Sequence, residues 1–477
     1  MKNLAQLQPS IPLGPLDGRY RAETAELVNF LSEPALNRAR ITVEIEWLIF
    51  LSVNRVLPGA PVLSTADQAY LRQIPEDFGS AEIAELREIE GQTRHDVKAV
   101  EYFLKRRLDD APNHLPETDL NKVHEIVHIF CTSEDINNLA YAINIRDAVQ
   151  QIWLPAAQKF VVQLSELARE NAQQPMLSRT HGQTATPSTL GKEIAVLAHR
   201  LARQLRHVSH QEFLGKINGA TGTYGAHLAG VPDANWIDLS RRFVTHLGLT
   251  WNPLTTQIES HDWMAELFAD VARFNRIAHN LATDFWTYIS LGYFRQNLAA
   301  QGSTGSSTMP HKVNPIRFEN AEANLEISNA LFDTLSATLV TSRMQRDLTD
   351  STTQRNIGVA FGHSLLALSN LRRGVAGLDV APDVLNADLD HSWEVLAEPI
   401  QQAMRAAAIS GATGMANPYE RLKDLTRGHR VSAEDMRNFI KELGMPADVE
   451  ARLLELTPVS YTGLAAELVD LLDIAGL

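Results

Sequence analysis

The chain has 477 residues, with 43 Lys and Arg against 57 Asp and Glu, a formal net charge of -14 at pH 7. A single core does not grow to that length, so about two to four domains are expected, and the negative charge argues against nucleic acid, whose binders are basic. Cys131 is the only cysteine, which excludes internal disulfides and multi-cysteine metal sites; the absence of a signal-peptide core and of any run of about 18 apolar residues completes the expectation of a soluble cytoplasmic protein without a membrane partner.

Ala, Leu, Glu, Gln and Arg dominate, and alternating Val, Ile and Thr runs are scarce, so the expected fold class is all-α with no strong strand. A smaller N-terminal helical domain is expected over residues 1–120. It carries two polar clusters, "DGRY" (17–20) and "RHDVKAVEYF" (94–103). Just beyond it, "HEIVH" (124–128) is a literal H-E-x-x-H, the arrangement of a zinc peptidase, with His124 and His128 one helical turn apart. The extended form of that motif would need a Gly and a His where Cys131 and Glu134 stand. The better reading is a helix with two histidines near its end.

From 121 to 375 a domain of long helices is expected, forming an elongated central bundle. "CTSEDINN" (131–138) fits a capping box in which Thr132 or Ser133 opens a helix. The stretch 138–172 has apolar residues at three- and four-residue spacing, with a kink expected at Pro155. Further long periodic segments lie near 189–214, 259–298, 317–345 and 354–375, separated by polar joints at 175–188, 215–235 and 299–316. In the joint "GKINGATGTYG" (215–225), neither nucleotide-loop pattern is matched and a turn is the expectation. Shorter helices near 386–408 and 433–475 make a C-terminal helical domain over 376–477.

Polar clusters interrupt this helical pattern throughout. Besides those named they are "SRTHGQTATP" (178–187), "TTQIESHD" (255–262), "GSTGSSTMPHKVNPIRFEN" (302–320) and "SRMQRDLTDSTTQRN" (342–356). Any one has a bland reading as a cap, a turn or a solvated face. Together, in so regular a chain, they shift the balance away from that reading.

The loop at 302–320 resembles the signature of the fumarase/aspartase superfamily: Ser306, Ser307, Met309, Pro310, Lys312, Asn314 and Glu319 match its pattern. "PLDGRY", "HDVKAVEYFL", "CTSEDINNLA", "LSRTHGQTATPSTLGKE", "GKINGATGTY", "WNPLTTQIE" and "QRDLTDST" are similar to the branch, in its longer bacterial form, that releases fumarate from succinylated purine intermediates, and the likeness runs from about residue 12 to about 460. One departure is Arg94, where the pattern has Asn. The resemblance implies β-elimination of fumarate from adenylosuccinate and from succinyl-aminoimidazole-carboxamide ribotide, by acid and base groups alone, with no metal and no organic cofactor. Argininosuccinate lyase and aspartase are the neighbouring alternatives; a zinc peptidase through His124 and His128, or a catalytically silent relative, are more distant ones.

The same resemblance implies roles. Ser306 would be the general base, His181 the general acid, and Lys312 with Asn314 would stabilise the charge that develops on a substrate carboxylate. A serine hydroxyl is a weak base at neutral pH, so its loop would act as a lid that stabilises the oxyanion on closing. Arg19, Arg346, Arg355 and Ser351 would hold phosphate and carboxylates. Tyr20, Arg94, His95, Asp96, Thr132, Ser133, Gln257, Ser307 and Asn320 match or adjoin the other binding positions, although His95 has a second reading as a core histidine. A homotetramer, with sites assembled from several subunits, is implied as well.

Overall fold

Ser32 opens the first long helix, α1 (Glu33–Val53): its Oγ accepts the Ala35 N–H at 3.2 Å, and Pro34 sits in the first turn, where no N–H is needed. In the computed structural model, which describes residues 12–297, 309, 312–426 and 431–475, α1 is buried almost all round. It packs with α2 (Thr65–Glu76), α3 (Ser80–Thr93) and α4 (Asp96–Asp110) through Ile41, Ile45, Leu71, Leu86, Val100 and Phe103. The described residues form two compact units. The first is drawn from Met1–Ala156, His207–Arg276 and Asn324–Ala367, the second from Ala157–Arg206, Ile277–Ala323 and Leu368–Leu477.

In the first unit, α5 (Ser133–Ala148) runs into a π-helical turn, Val149–Trp153, before α6 (Leu154–Glu170) begins. That wider turn lies immediately ahead of Pro155, whose missing N–H and bulky ring an ordinary α-turn does not accommodate. A buried polar thread then ties distant segments of this unit together. Trp153 Nε1 donates to Ser364 Oγ at 2.8 Å, Ser364 to Asn275 Oδ1 at 2.8 Å, Asn275 Nδ2 to Ser328 Oγ at 3.1 Å, and Ser328 to the Ala360 carbonyl at 2.8 Å. Each of these buried polar groups would cost free energy if left alone, so the chain specifies how the segments pack.

The polar joint at 175–188 contains regular structure that the sequence pattern did not reveal. In the second unit β1 (Pro175–Thr180) pairs antiparallel with β2 (Gln183–Thr189), Met176 facing Ser188 and Thr180 facing Gln183, with an irregularity between Leu177 and Arg179. α7 (Leu190–Ser209) follows directly. Two further strand pairs are minimal: Leu214–Gly215 with Thr250–Trp251, and Phe294–Gln296 with Leu378–Val380. Helices dominate everywhere else, α8 (Trp236–His246), α9 (Asp262–Ser290), α10 (Ile316–Leu339), α11 (Thr349–Gln354) and α12 (Ile357–Ala376) among them, and the fold is all-α in class.

The C-terminal part of the second unit is more broken than the expected helices. The segment 386–408 resolves into Pro382–Asp390, a 3-10 turn Trp393–Leu396 and Ala397–Ile409, and 433–475 into Ala433–Glu442, Ala447–Glu455 and Ala465–Val469, with Pro446, Pro458 and Gly463 in the breaks. Leu177, Leu389, Ile400, Met404, Met436 and Ile440 form its core. Among the described residues no helix is long and apolar enough to cross a membrane.

Candidate active site

Several of the polar clusters meet in the first unit. Asp96 opens α4; its Oδ1 accepts the Val97 N–H at 2.9 Å, while Oδ2 lies 2.8 Å from Arg40 Nη2 and 3.8 Å from Arg355 Nη2. Arg40 Nε donates to Asn137 Oδ1 at 2.9 Å, and Asn137 Nδ2 to Glu134 Oε1 at 2.7 Å. Glu134 Oε1 lies 3.0 Å from Arg346 Nη2, Arg346 Nη1 lies 2.7 Å from Asp350 Oδ2, and His261 Nε2 reaches the same carboxylate at 3.3 Å. Charges of opposite sign thus alternate along one line that joins segments 95–96, 134–137, 346–355 and 261. Burial alone would raise the Asp96 and Asp350 pKa values, but Arg40 and the Val97 N–H for the first, and His261 and Arg346 for the second, hold both carboxyls below their ordinary range.

His95 caps α4 from outside the core. Its Nδ1 accepts the Lys98 N–H at 3.2 Å, which in the neutral ring places the proton on Nε2, and its side chain is 51% exposed. A core role is thereby excluded, and a donor is presented to solvent. Arg94, which ends α3, is exposed and left-handed with φ 53°. Thr132 is the N-cap of α5, and its N–H is accepted by Asp135 Oδ2 at 2.8 Å; the expected capping box therefore forms with Asp135, and Ser133 is the first helical residue. Gln257 donates from Nε2 to the Ala220 carbonyl at 2.9 Å. Ser351 begins one residue after Asp350, whose Oδ1 accepts its N–H at 2.6 Å.

Arg355 stands between two small hollows of this unit. One, of about 110 Å³, is walled by Tyr141, Ser32 and Arg355; the other, of about 140 Å³, by Asp17, Thr24 and Arg355. The "DGRY" cluster therefore shares a hollow with Arg355 through Asp17. Arg19 is exposed and lies over the Tyr20 ring at 5.8 Å. Burial pushes the Tyr141 hydroxyl up to about 12, so it remains a neutral donor through the physiological range.

The second unit holds the remaining described candidates. His181 (φ 53°) and Gly182 (φ 73°) are the two residues between the paired Thr180 and Gln183. Two successive positive φ values are what a type I′ hairpin turn demands, and His181 is carried, exposed, at its tip. Lys312 is exposed, its N–H donated to the Met309 carbonyl at 3.0 Å. Gln296 Nε2 holds the Val313 carbonyl at 2.7 Å, the Asn314 carbonyl accepts the Ile316 N–H at 2.8 Å, and α10 then begins, with Asn320 half-buried in its second turn. Ser306 and Ser307 lie outside the described residues.

A family model of lyases matches residues 18–326, and one of the adenylosuccinate lyase C-terminal region matches 342–462. The chain is 47% identical over 465 residues to the adenylosuccinate lyase of Escherichia coli strain K12, covering 98% of this chain and 99% of that protein. The chain belongs to the adenylosuccinate lyase family. The adenylosuccinate lyase of Haemophilus influenzae is likewise 47% identical, over 98% of this chain and all (100%) of that relative. In fold it is similar to a fumarate lyase from Mesorhizobium sp. BNC1 (TM-score 0.73, 21% identity, covering 95% of this chain and 98% of that one). A second similar fold is the 3-carboxy-cis,cis-muconate lactonizing enzyme from Pseudomonas putida (TM-score 0.70, 17% identity, 94% and 96% covered). The chain is accordingly an enzyme, a carbon–nitrogen lyase of the fumarase/aspartase superfamily.

Membership in this family and the geometry together dispose of the H-E-x-x-H reading. Residues His124–Ile126 form a single 3-10 turn rather than an α-helix, and His128 follows with φ 64°, so the two rings do not share a helical face. Each has a carboxylate of its own, His124 Nδ1 at 2.6 Å from Asp109 and His128 Nδ1 at 2.5 Å from Glu44. Burial works to lower the His128 pKa, but the Glu44 hydrogen bond and charge outweigh it and raise it. Of the residues that carry the line of charges, Glu134, Asn137, His261 and Asp350 lie inside the polar clusters but were not singled out as candidates, and Arg40 lies outside every cluster. The sequence signal for Arg40 is charge inside an apolar helical stretch, shared with Glu44 in α1.

Proposed function

We propose that this lyase cleaves adenylosuccinate to AMP and fumarate, and succinyl-aminoimidazole-carboxamide ribotide to the free ribotide and fumarate. The observation that carries the assignment of roles is the line of alternating charges from Asp96 through Arg40, Glu134 and Arg346 to Asp350. It lets an acidic protein hold Arg355 and the start of α5 in fixed positions, as recognition of a doubly carboxylated nucleotide requires. Arg19 and Arg355 supply exposed positive charge for phosphate and carboxylate, and Arg346 with Ser351 fixes the adjoining wall. Tyr20, Thr132, Ser133, Gln257, Ser307 and Asn320 complete the polar lining, with His95 donating from Nε2. Arg94 and Asp96 act through position, the one ending α3 and the other anchoring Arg40.

In the reaction Ser306 takes the proton from the carbon beside a carboxylate. The electron pair forms the fumarate double bond as the C–N bond breaks, and His181 protonates the departing nitrogen. Lys312 and Asn314 stabilise the charge that accumulates on the carboxylate meanwhile. The active species is a cytoplasmic homotetramer whose sites draw on several chains.

Mixing the protein with adenylosuccinate and following AMP and fumarate tests this directly. Turnover of the two succinylated purine intermediates, with none of argininosuccinate or aspartate, is expected; turnover of argininosuccinate alone overturns it. Ser306→Ala should leave binding near wild type and lower kcat by about 10²–10⁴-fold, the range typical of a positioned base. A variant that keeps more than about a tenth of wild-type kcat rules the serine out as the base.

A further inference from the structure

Lys216 and Asp135 are completely buried and lie 2.8 Å apart, Nζ to Oδ1. Neither has a role in the chemistry above, and "GKINGATGTYG" matched no nucleotide loop. A buried ion pair stabilises a fold no better than a well-packed apolar pair of the same volume. What an apolar pair cannot do is gather donors from separate segments, and Asp135 gathers four. Its carboxylate accepts the Thr132 N–H at 2.8 Å, Lys216 Nζ at 2.8 Å, the Asn218 N–H at 2.9 Å and the Gly219 N–H at 3.1 Å. Asn138 closes the same junction, its Oδ1 accepting the Lys216 N–H at 2.8 Å and its Nδ2 donating to the Lys216 carbonyl at 3.0 Å.

The loop so fixed is itself bound to the segment 255–257. Asn218 Nδ2 donates to Thr255 Oγ1 at 2.8 Å, and the Ala220 carbonyl accepts Gln257 Nε2 at 2.9 Å. Gly222, at φ 75°, lies so close that a Cβ there would meet the Thr255 carbonyl at 2.3 Å and the Thr256 carbonyl at 2.9 Å. Movement of the loop therefore moves Gln257.

We propose that Lys216 and Asp135 are positioning residues: their pair holds the 215–225 loop on the start of α5 and thereby sets Gln257 in register with Thr132 and Ser133. This rests on the reading of those three as substrate ligands. Charge-assisted bonds with four donors on one carboxylate leave that register little freedom.

The test uses full-length K216M and the double variant D135N/K216M, assayed on adenylosuccinate beside wild type, with Tm measured for each. K216M strands a buried carboxylate and lowers Tm. In the double variant the amide oxygen can still accept the Asn218 N–H while its NH2 replaces the oxygen that accepted the Thr132 N–H, so no charge is stranded and part of the Tm returns although the tie between the loop and α5 is loosened, and this variant carries the test if K216M does not fold. Positioning predicts that KM rises about tenfold in both, ~1.4 kcal/mol of uniform binding lost, with kcat within about threefold of wild type. It predicts too that K216M adds little to the KM of Gln257→Ala, which has no side chain left to misplace. A purely structural role would lower Tm and the fraction of active enzyme, hence apparent kcat, at unchanged KM. Wild-type KM in the double variant, or full additivity with Gln257→Ala, overturns the proposal. Wild-type turnover in the same assay keeps that outcome distinct from failure of the functional reading, which a wild type inactive on adenylosuccinate would show.

Discussion

His227 is fully buried, and among the described residues neither of its ring nitrogens has a hydrogen-bond partner. Phe130, Trp236 and Tyr224 enclose it at centroid distances of 5.2, 4.8 and 5.4 Å. Burial lowers its pKa to about 4, the Lys216 charge assisting and the Asp135 charge opposing. In the unfolded chain the ring returns to about 6.5, so between those values the unfolded state binds the extra proton. The stability that a neutral His227 contributes is complete above about pH 6.5 and is lost as pH falls from there toward 4, on the order of 3 kcal/mol in all. Urea midpoints at about pH 7.5 and about pH 4.5 check this. Wild type should lose stability over that interval, and His227→Leu should lose markedly less; equal losses would mean that other groups carry the dependence. Arg94 makes a second prediction at this scale. It is exposed and left-handed, a conformation that asparagine tolerates far better than arginine, and asparagine is the residue the family pattern has there. Arg94→Asn should therefore raise stability by ~0.5–1 kcal/mol, visible as a higher urea midpoint.

Toward its turn, the hairpin that carries His181 has a polar anchor in β1. Arg179 donates from Nη1 to Tyr293 Oη and from Nη2 to Asp388 Oδ2, both at 2.6 Å, and Tyr293 also bonds Asp388. Arg179→Met removes that anchor two residues from the proposed acid. It should lower kcat by about ten- to a hundredfold with a smaller change in KM, since misplacing a reacting group by about 1 Å can cost that much; an unchanged kcat would show that the tip holds its position unaided. This hairpin also marks where the sequence stops being readable. Helices with a wide apolar stripe were legible, the periodic segment 354–375 against the observed Ile357–Ala376, and 189–214 against Leu190–Ser209. Pro175–Thr189 was not, because its strands are exposed toward the turn and buried only at the far ends, so no alternation accumulates. The candidate residues were legible as polar islands; those that supplied His95, Thr132 and Arg355 lie in the first unit, and His181 lies in the second. Arg40 escaped notice because a charged residue inside a helix looks like solvent-facing surface until its partner, 56 residues away, is seen beside it, and Glu134 was read only as part of a polar cluster because its partner Arg346 stands 212 residues away.

At the scale of the whole molecule, apolar side chains remain uncovered on the long helices of both units. In the first, Ile327 is 48% and Val359 39% exposed; in the second, Val162 is 38%, Val196 43% and Trp286 41% exposed. Scattered exposed apolar residues are ordinary, but helices that place them along their length are suited to burial against further copies of the chain, which supports the proposed tetramer. If its sites draw on several chains, acid and base need not be intact in the same polypeptide. His181→Ala and Ser306→Ala proteins, each inactive alone, should then regain activity when dissociated, mixed in equal amounts and reassembled. Where the acid and the base of each site come from different chains, random assembly leaves about one site in four with both groups intact, the product of two independent halves in a symmetric oligomer. The recovered kcat should approach about a quarter of wild type, at wild-type KM, because the restored sites are complete. Hybrids shown by mass to be mixed tetramers and yet inactive would place His181 and Ser306 of each site on one chain, and with that the shared-site reading would fall.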